Sequence, residues 1–236
     1  MEKQKKLNDL LEKIHGKMII SCQAVPGEPL YVEEESIMYL MARAAKQAGS
    51  PAIRTSSIRD VVAIKKETGL PVIGLVKVQY EGYESYITPT MKEVDDLVAA
   101  GSDVVALDCT MRRRGDGRTI NEFVAEIRSK YPELILMADI STYEEGMNAV
   151  KCGVDIVGTT MSGYTAYSPK TDGPDYELMR RLARDAGVPV IGEGKIHDPA
   201  QAAEALRTGI WAIVVGGAIT RPLEIARRFM DAIQTV

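Results

Sequence analysis

The chain is poor in the residues that build metal centres and disulfide frameworks. Its 236 residues include three cysteines and two histidines. Cys22, Cys109 and Cys152 are an odd set without CxxC spacing, each beside or inside an apolar stretch. Such cysteines read as buried free thiols of a reducing compartment. His15 and His197 are too few and too far apart in sequence for a histidine-rich metal site, which leaves only carboxylate sites open. Long hydrophobic runs are missing as well. Segments such as "WAIVVGGAI" fall far short of the ~20 residues that a membrane span requires. Nor is there a cationic excess: a formal net charge of -4 gives no electrostatic footprint for nucleic acid or an anionic membrane. The opening segment "MEKQKKLNDLLEKIHGK" is charged and amphipathic, without the apolar core and cleavage site of a signal peptide. A cytoplasmic protein is therefore expected. No Pro/Gly/Ser-rich linker or low-complexity segment interrupts the chain, so residues 1–236 are expected to form one domain.

Against these absences stands a rhythm. Eight apolar runs follow one another: "MIISCQ", "PAIRTSS", "PVIGLVK", "VVALDCT", "LILMADIS", "DIVGTTMS", "PVIGEGKI" and "AIVVGGAIT". Between them lie stretches of helical spacing, such as "EEESIMYLMARAAKQAG", "TMKEVDDLVAAG" and "DPAQAAEALRTG". Several helices end in one phrase: "KQAGSPAI", "VAAGSDVV", "VKCGVDIV", "RDAGVPVI" and "LRTGIWAI". Each places a glycine just past the last helical turn, where φ > 0 is wanted, and then starts a strand. Alternating βα units require a parallel sheet with right-handed crossovers. Eight of them without a long insertion predict a closed (β/α)8 TIM barrel of the phosphate-binding type rather than an open doubly wound sheet. A further helix over about residues 2–15 precedes the first strand and is expected to cover the barrel bottom.

In such a barrel the reactive face lies at the C-terminal strand ends. The polar residues that close the runs are Gln23, Arg54, Lys77, Asp108, Asp139, Thr160 with Ser162, and Glu193, followed by Gly216 and Gly217. One polar strand end is ordinary; so many converging on one rim make a site. After the last strand, "IVVGGAITRP" pairs two glycines with Pro222 at a helix start. "GEGK" after the seventh run adds Gly194. Glycine lets backbone N–H groups approach a ligand, and a helix N-terminus favours an anion, so these loops predict a phosphate cradle.

Lys77 closes the third run next to a dry interior, where an ammonium is expensive to hold. Burial and a nearby cation such as Arg54 would lower its pKa. A neutral amine there could remove a proton α to a carbonyl, or attack the carbonyl to form a Schiff base. The bland alternative is a structural ion pair with Asp139 or Glu193.

At this point the motifs resemble those of bacterial N-acetylmannosamine-6-phosphate 2-epimerases. The likeness runs through "SCQAVPGEPL", "MARAAKQAG", "AIRTSS", "VIGLVK", "YITPTMKEVD", "ALDCT", "LMADIST", "DIVGTTMSGYT", "VIGEGKIHDP" and "IVVGGAITRP". The resemblance implies cofactor-free, metal-free inversion at C2 of a phosphorylated N-acetylhexosamine, in sialic acid catabolism. It implies Lys77 as catalytic base and Glu193 as its essential partner. It implies Gln23, Arg54 and Asp139 as substrate-orienting groups, and Arg221 with Gly194, Gly216 and Gly217 as the phosphate end. A Schiff-base phosphosugar aldolase or lyase using Lys77, or a non-catalytic phosphosugar sensor, remains as an alternative. The oligomeric state is not given by the sequence, with which a homodimer is compatible.

Other residues carry blander expectations. The arginines of "TMRRRGDGR" read as a solvated loop run, with one of them reaching over the rim or across a subunit contact as the alternative. His197 reads as structural, ahead of a helix capped by Asp198. Trp211, at the start of the eighth strand, reads as core. Tyr80, Tyr83, Tyr86 and Tyr164 fall in βα loops, where they can shape a pocket or pack on the surface.

Overall fold

Eight parallel strands close on themselves in the computed structural model, which describes residues 2–234. They are β1 Met18–Ser21, β2 Ile53–Ser56, β3 Val72–Leu75, β4 Val104–Asp108, β5 Ile135–Asp139, β6 Ile156–Gly158, β7 Val190–Glu193 and β8 Ala212–Val215. Each pairs with the next in sequence, and β8 pairs with β1 to complete the (β/α)8 barrel. Helix α1, Glu2–Ile14, precedes the barrel. The helices that follow the strands in turn are α2 Met38–Gln47, α3 Ile58–Thr68, α4 Met91–Ala99, α5 Ile120–Lys130, α6 Tyr143–Cys152, α7 Tyr176–Asp185, α8 Pro199–Arg207 and α9 Pro222–Gln234.

Local chemistry explains the boundaries. The five repeated glycines Gly49, Gly101, Gly153, Gly187 and Gly209 all have φ between 70 and 92°, the left-handed conformation that ends a helix cheaply only at glycine. At the other end, Thr90, Thr119 and Thr142 open α4, α5 and α6 as capping boxes with Glu93, Glu122 and Glu145.

Two apolar layers result. One lies between strands and helices, and the other fills the barrel, where Ile73, Val104, Ile135 and Ile156 meet Leu7, Leu10, Leu11 and Ile14 of α1. Helix α1 therefore closes the bottom of the barrel, as its amphipathic pattern predicts. Trp211 departs from the core reading. It is only half-buried, its indole N–H donates to the Leu11 carbonyl at 2.8 Å, and its ring lies 4.3 Å from that of His15. It fastens α1 to the barrel bottom. The three cysteines are free thiols: Cys22 and Cys109 are buried, but Cys152, at the end of α6, is only half-buried. Burial pushes the Cys22 thiol up to about 12, so it is inert at neutral pH. Among the described residues no helix is long and apolar enough to cross a membrane. Helix α9 differs from the other helices: none of its residues is buried, and Phe229, Met230 and Ile233 are 70%, 62% and 69% exposed.

Candidate functional site

The strand ends open on a cavity of about 260 Å³ at the C-terminal mouth of the barrel. Gln23, Arg54, Lys77 and Glu193 all line it. So do Gly194, Gly216 and Gly217, with Arg221. Asp139 does not. It is fully buried behind Arg54, and both its oxygens are committed: one accepts from Arg54 at 2.7 Å, the other from Thr160 at 2.6 Å. A strand-end position brings a residue to the rim without saying whether its side chain reaches the opening. Asp139 acts on the cavity through Arg54.

Arg54 is the centre of the charge arrangement. Its guanidinium is buried inside the barrel between Asp139 and Glu193, whose Oε2 lies 3.3 Å from its Nε. Among the described residues that Nε has no aligned hydrogen-bond acceptor, and Gln23 Oε1 has no donor. The other end of the Gln23 amide donates to Ser21 at 2.8 Å. Buried polar groups without partners are rare in native structures. A donor and an acceptor of this kind on two cavity-lining residues suit a ligand rich in hydroxyl and amide groups.

Lys77 stands just past β3, held by a short antiparallel bridge to Ile87. Flanking bonds run from Thr88 N to Val76 O at 2.7 Å and from Val78 N to Tyr86 O at 3.0 Å. Among the described residues its ammonium makes no ion pair, which weighs against the purely structural reading. Burial, then the positive charges of Arg221 and Arg54, push its pKa down to about 8, against the pull of Glu193 and Glu28. Glu193 moves the other way. Burial and the Asp139 charge push its carboxyl up to about 6, while Arg54 and Lys77 work in the opposite direction; the Thr160 hydroxyl oxygen lies 3.1 Å from its Oε2. An amine and a carboxyl whose environments drive them towards each other are the mark of an acid–base pair.

At the far end, Gly194 has φ 106°, a conformation only glycine adopts without strain. The next residue, Lys195, also lies in the left-handed region at φ 56° and lines the cavity. Arg221 is not free there. Its guanidinium pairs with Glu28 at 3.1 Å and Glu224 at 2.9 Å, and an anionic ligand has to share it with those carboxylates. Sequence reasoning gave no role to Thr160, Lys195, Glu28 or Glu224. Thr160 and Lys195 were visible as strand-end polar residues, but Glu28 sits in the β1–α2 loop and Glu224 within α9, where no periodic signal marks them. Tyr86 and Tyr164 line the cavity, whereas Tyr80 donates to Glu93 away from it. His197 also borders the cavity, exposed, beside Asp198, whose side chain caps α8.

The arginine run is the clearest correction. Arg113 is exposed, but Arg112 reaches Asp108 at 2.8 Å and Arg114 is completely buried. Arg114 lies 4.3 Å over the Phe123 ring and donates to the carbonyls of Asp108, Ile87, Thr88 and Pro89. It staples the end of β4 to the segment that pairs with Lys77. Arg114→Met leaves those buried carbonyls without their donor, at ~1–3 kcal/mol for a group so stranded. Chemical denaturation should show a loss well above the ~0.5 kcal/mol typical of surface changes, such as Arg113→Ala. Equal, small losses for both would restore the solvated reading.

Among the described residues no cluster of three or more His, Cys, Asp or Glu side chains is arranged to hold a metal ion.

Known proteins resemble the chain along nearly its whole length. The family described as "Putative N-acetylmannosamine-6-phosphate epimerase" matches residues 38–235. A relative of that name, as a 2-epimerase, from Caldanaerobacter subterraneus subsp. tengcongensis is 54% identical over 96% of this chain and 94% of its own. Another, from Clostridioides difficile, is 44% identical over 95% and 99%. The solved structure of the N-acetylmannosamine-6-phosphate 2-epimerase from Clostridium perfringens has a TM-score of 0.89 and 46% identity, over 94% of this chain and 96% of that one. A thiamine phosphate pyrophosphorylase from Pyrococcus furiosus shares the fold alone, with a TM-score of 0.59 at 20% identity. The chain thus belongs to the N-acetylmannosamine-6-phosphate epimerase family, a family of isomerases.

Proposed function

We propose that this chain inverts C2 of N-acetylmannosamine 6-phosphate to give N-acetylglucosamine 6-phosphate, as one cytoplasmic domain and without a cofactor. The observation that carries the reading is Lys77, its pKa pushed down to about 8, in one cavity with Glu193, pushed up to about 6. The C2 proton is acidic only when C1 is an open-chain aldehyde. The site must therefore open the ring, take the proton and stabilise the enolate. Lys77 is the base, and Glu193 handles the proton that opens the ring. Arg54 Nε, which makes no aligned hydrogen bond among the described residues, and the Gln23 amide orient the substrate and meet the developing oxyanion, where preorganised donors count most. Gly194, Gly216, Gly217 and Arg221 take the phosphate. We assign the reaction to sialic acid catabolism, as the family resemblance implies. A phosphosugar, not nucleic acid or membrane, is the partner.

The pH dependence follows from the pair. Reaction needs Lys77 neutral and Glu193 protonated. That combination grows roughly tenfold per pH unit up to about 6, stays level, and falls above about 8. A bell of kcat/KM with limbs near those values is expected; a profile flat from pH 5 to 9 would remove the pair. The decisive assay incubates the protein with N-acetylmannosamine 6-phosphate after exhaustive chelation. Undiminished epimerisation is expected, and activity lost to EDTA and restored by a divalent ion would overturn the cofactor-free mechanism. Borohydride should trap no adduct, since a trapped adduct would favour the aldolase chemistry of the same lysine.

Arg221→Ala should weaken binding of the 6-phosphate roughly tenfold or more, the loss of a charged hydrogen bond of about 1.5–3 kcal/mol. Unphosphorylated N-acetylmannosamine should be affected far less. Equal effects on both sugars would leave phosphate recognition to the backbone of Gly216 and Gly217. A homodimer would give the bare apolar face of α9 a partner. Sedimentation should then show a dimer at micromolar concentration, and a monomer would dismiss it.

A further inference from the structure

Thr160 lies just past β6, and the chemistry proposed above gives it no part. Its hydroxyl oxygen is 2.6 Å from Asp139 Oδ1 and 3.1 Å from Glu193 Oε2. Three oxygens in a chain need two hydrogens between them, and a hydroxyl carries one. The shorter contact has the length of an O–H···O⁻ bond to a carboxylate. Arg54 donates to the other Asp139 oxygen at 2.7 Å. Thr160 therefore donates to Asp139 and turns only lone pairs towards Glu193. Two lone-pair-bearing oxygens at 3.1 Å repel unless a second hydrogen lies between them. Glu193 is the group that can supply it.

We infer that Thr160 favours the protonated form of Glu193 in the free protein, accepting the carboxyl hydrogen while its own is committed to Asp139. Thr160 is thus a positioning residue acting through Glu193. The surroundings fit. Burial and the negative Asp139 favour the neutral carboxyl, against Arg54 from β2 and Lys77 from β3; Tyr164, from the loop after β6, also faces it. Thr159 fixes the backbone, accepting from Glu193 N at 3.0 Å and donating to Glu193 O at 2.9 Å. A side chain at Gly158 would press on the contact, its Cβ 3.3 Å from Thr160 Oγ1 and 2.4 Å from the end of Met137.

The consequence deepens the epimerase reading and rests on it: Glu193 enters the cycle as an acid and Lys77 as the base. When Glu193 gives its proton to the sugar ring oxygen, it becomes a carboxylate. The Thr160 hydrogen then rotates from Asp139 to the new anion. No proton passes to Asp139: the C1–O5 bond breaks as the ring oxygen is protonated, and the arrangement resets when Glu193 takes the C1 hydroxyl proton that leaves as the aldehyde forms.

The test is an infrared pH titration of the substrate-free protein, with Glu193→Gln assigning the Glu193 carboxylic-acid band. Thr160→Ser should keep the parental midpoint, and Thr160→Val, which cannot accept the hydrogen, should titrate at lower pH. In turnover, Thr160→Val should lose roughly tenfold or more in kcat with KM within a few-fold, and Thr160→Ser should recover most of it. A midpoint that rises in Thr160→Val would show Thr160 donating to Glu193 and overturn the inference. Parental kcat in Thr160→Val, or no recovery in a folded Thr160→Ser, would overturn it as well. Failure of the epimerase reading is distinguishable: the parental protein would not turn over, while the titration, which needs no substrate, still reports where the hydrogen lies.

Discussion

Replacing Lys77 with methionine should abolish epimerisation and yield a folded protein at least as stable as the parent near pH 7. The first half follows from chemistry, since Lys77 is the cavity amine that desolvation leaves with a pKa of about 8. The second half follows from linkage. An ammonium pushed from an ordinary 10.5 down to about 8 destabilises the fold, by an order of 3 kcal/mol, wherever the folded form is protonated. The unfolded chain binds that proton more tightly, so the parent gains stability between about pH 8 and 10.5, and the disadvantage fades. Methionine has no such dependence. Denaturation of both proteins from pH 7 to 10 should show the variant's advantage shrinking with pH, less whatever the altered packing removes. A variant that unfolds along with losing activity would return Lys77 to a structural role.

Glu193→Gln should block turnover and leave phosphosugar affinity within a few-fold of the parent. The isosteric amide keeps the shape and can still donate to Thr160, but it has no proton to give. General acid–base groups contribute about 10²- to 10⁴-fold, so only traces of activity should survive. Binding should persist because Gly216, Gly217 and Arg221 lie on the loop after β8 and Gly194 contributes only its backbone. Isothermal titration with the substrate, beside a turnover assay, separates the two quantities. Near-parental turnover would demote Glu193 to a hydrogen-bonding role. Asp139 could not simply replace it, being sealed behind Arg54 and Thr160.

Much of this was legible because a parallel barrel converts sequence order into position. Each apolar run had to be a strand, and its last polar residue had to reach the same rim, so Gln23, Arg54, Lys77 and Glu193 could be grouped before any geometry was known. The repeated "AG" and "TG" junctions carried the helix ends, since a left-handed residue there has to be glycine. What stayed hidden depends on depth and direction across strands. Asp139 and Glu193 both close strands, yet one is buried beneath a guanidinium and the other opens to the cavity. Arg114 looks like its exposed neighbour Arg113, but the acceptors that bury it are backbone carbonyls, which leave no trace in residue type. The grip of Glu28 and Glu224 on Arg221 joins a loop after β1 to a helix after β8, a meeting that only barrel closure brings about.

The central claim is that a base in this cavity removes the proton at C2 and that the enolate is reprotonated on the other face by a proton exchanged with solvent. Proton NMR of N-acetylmannosamine 6-phosphate incubated with the protein in D₂O tests it most directly. Appearance of N-acetylglucosamine 6-phosphate with deuterium at C2 is the expected result, absent in Lys77→Met. Epimerised product that keeps its C2 hydrogen in D₂O, or product formed equally well without Lys77, would contradict it.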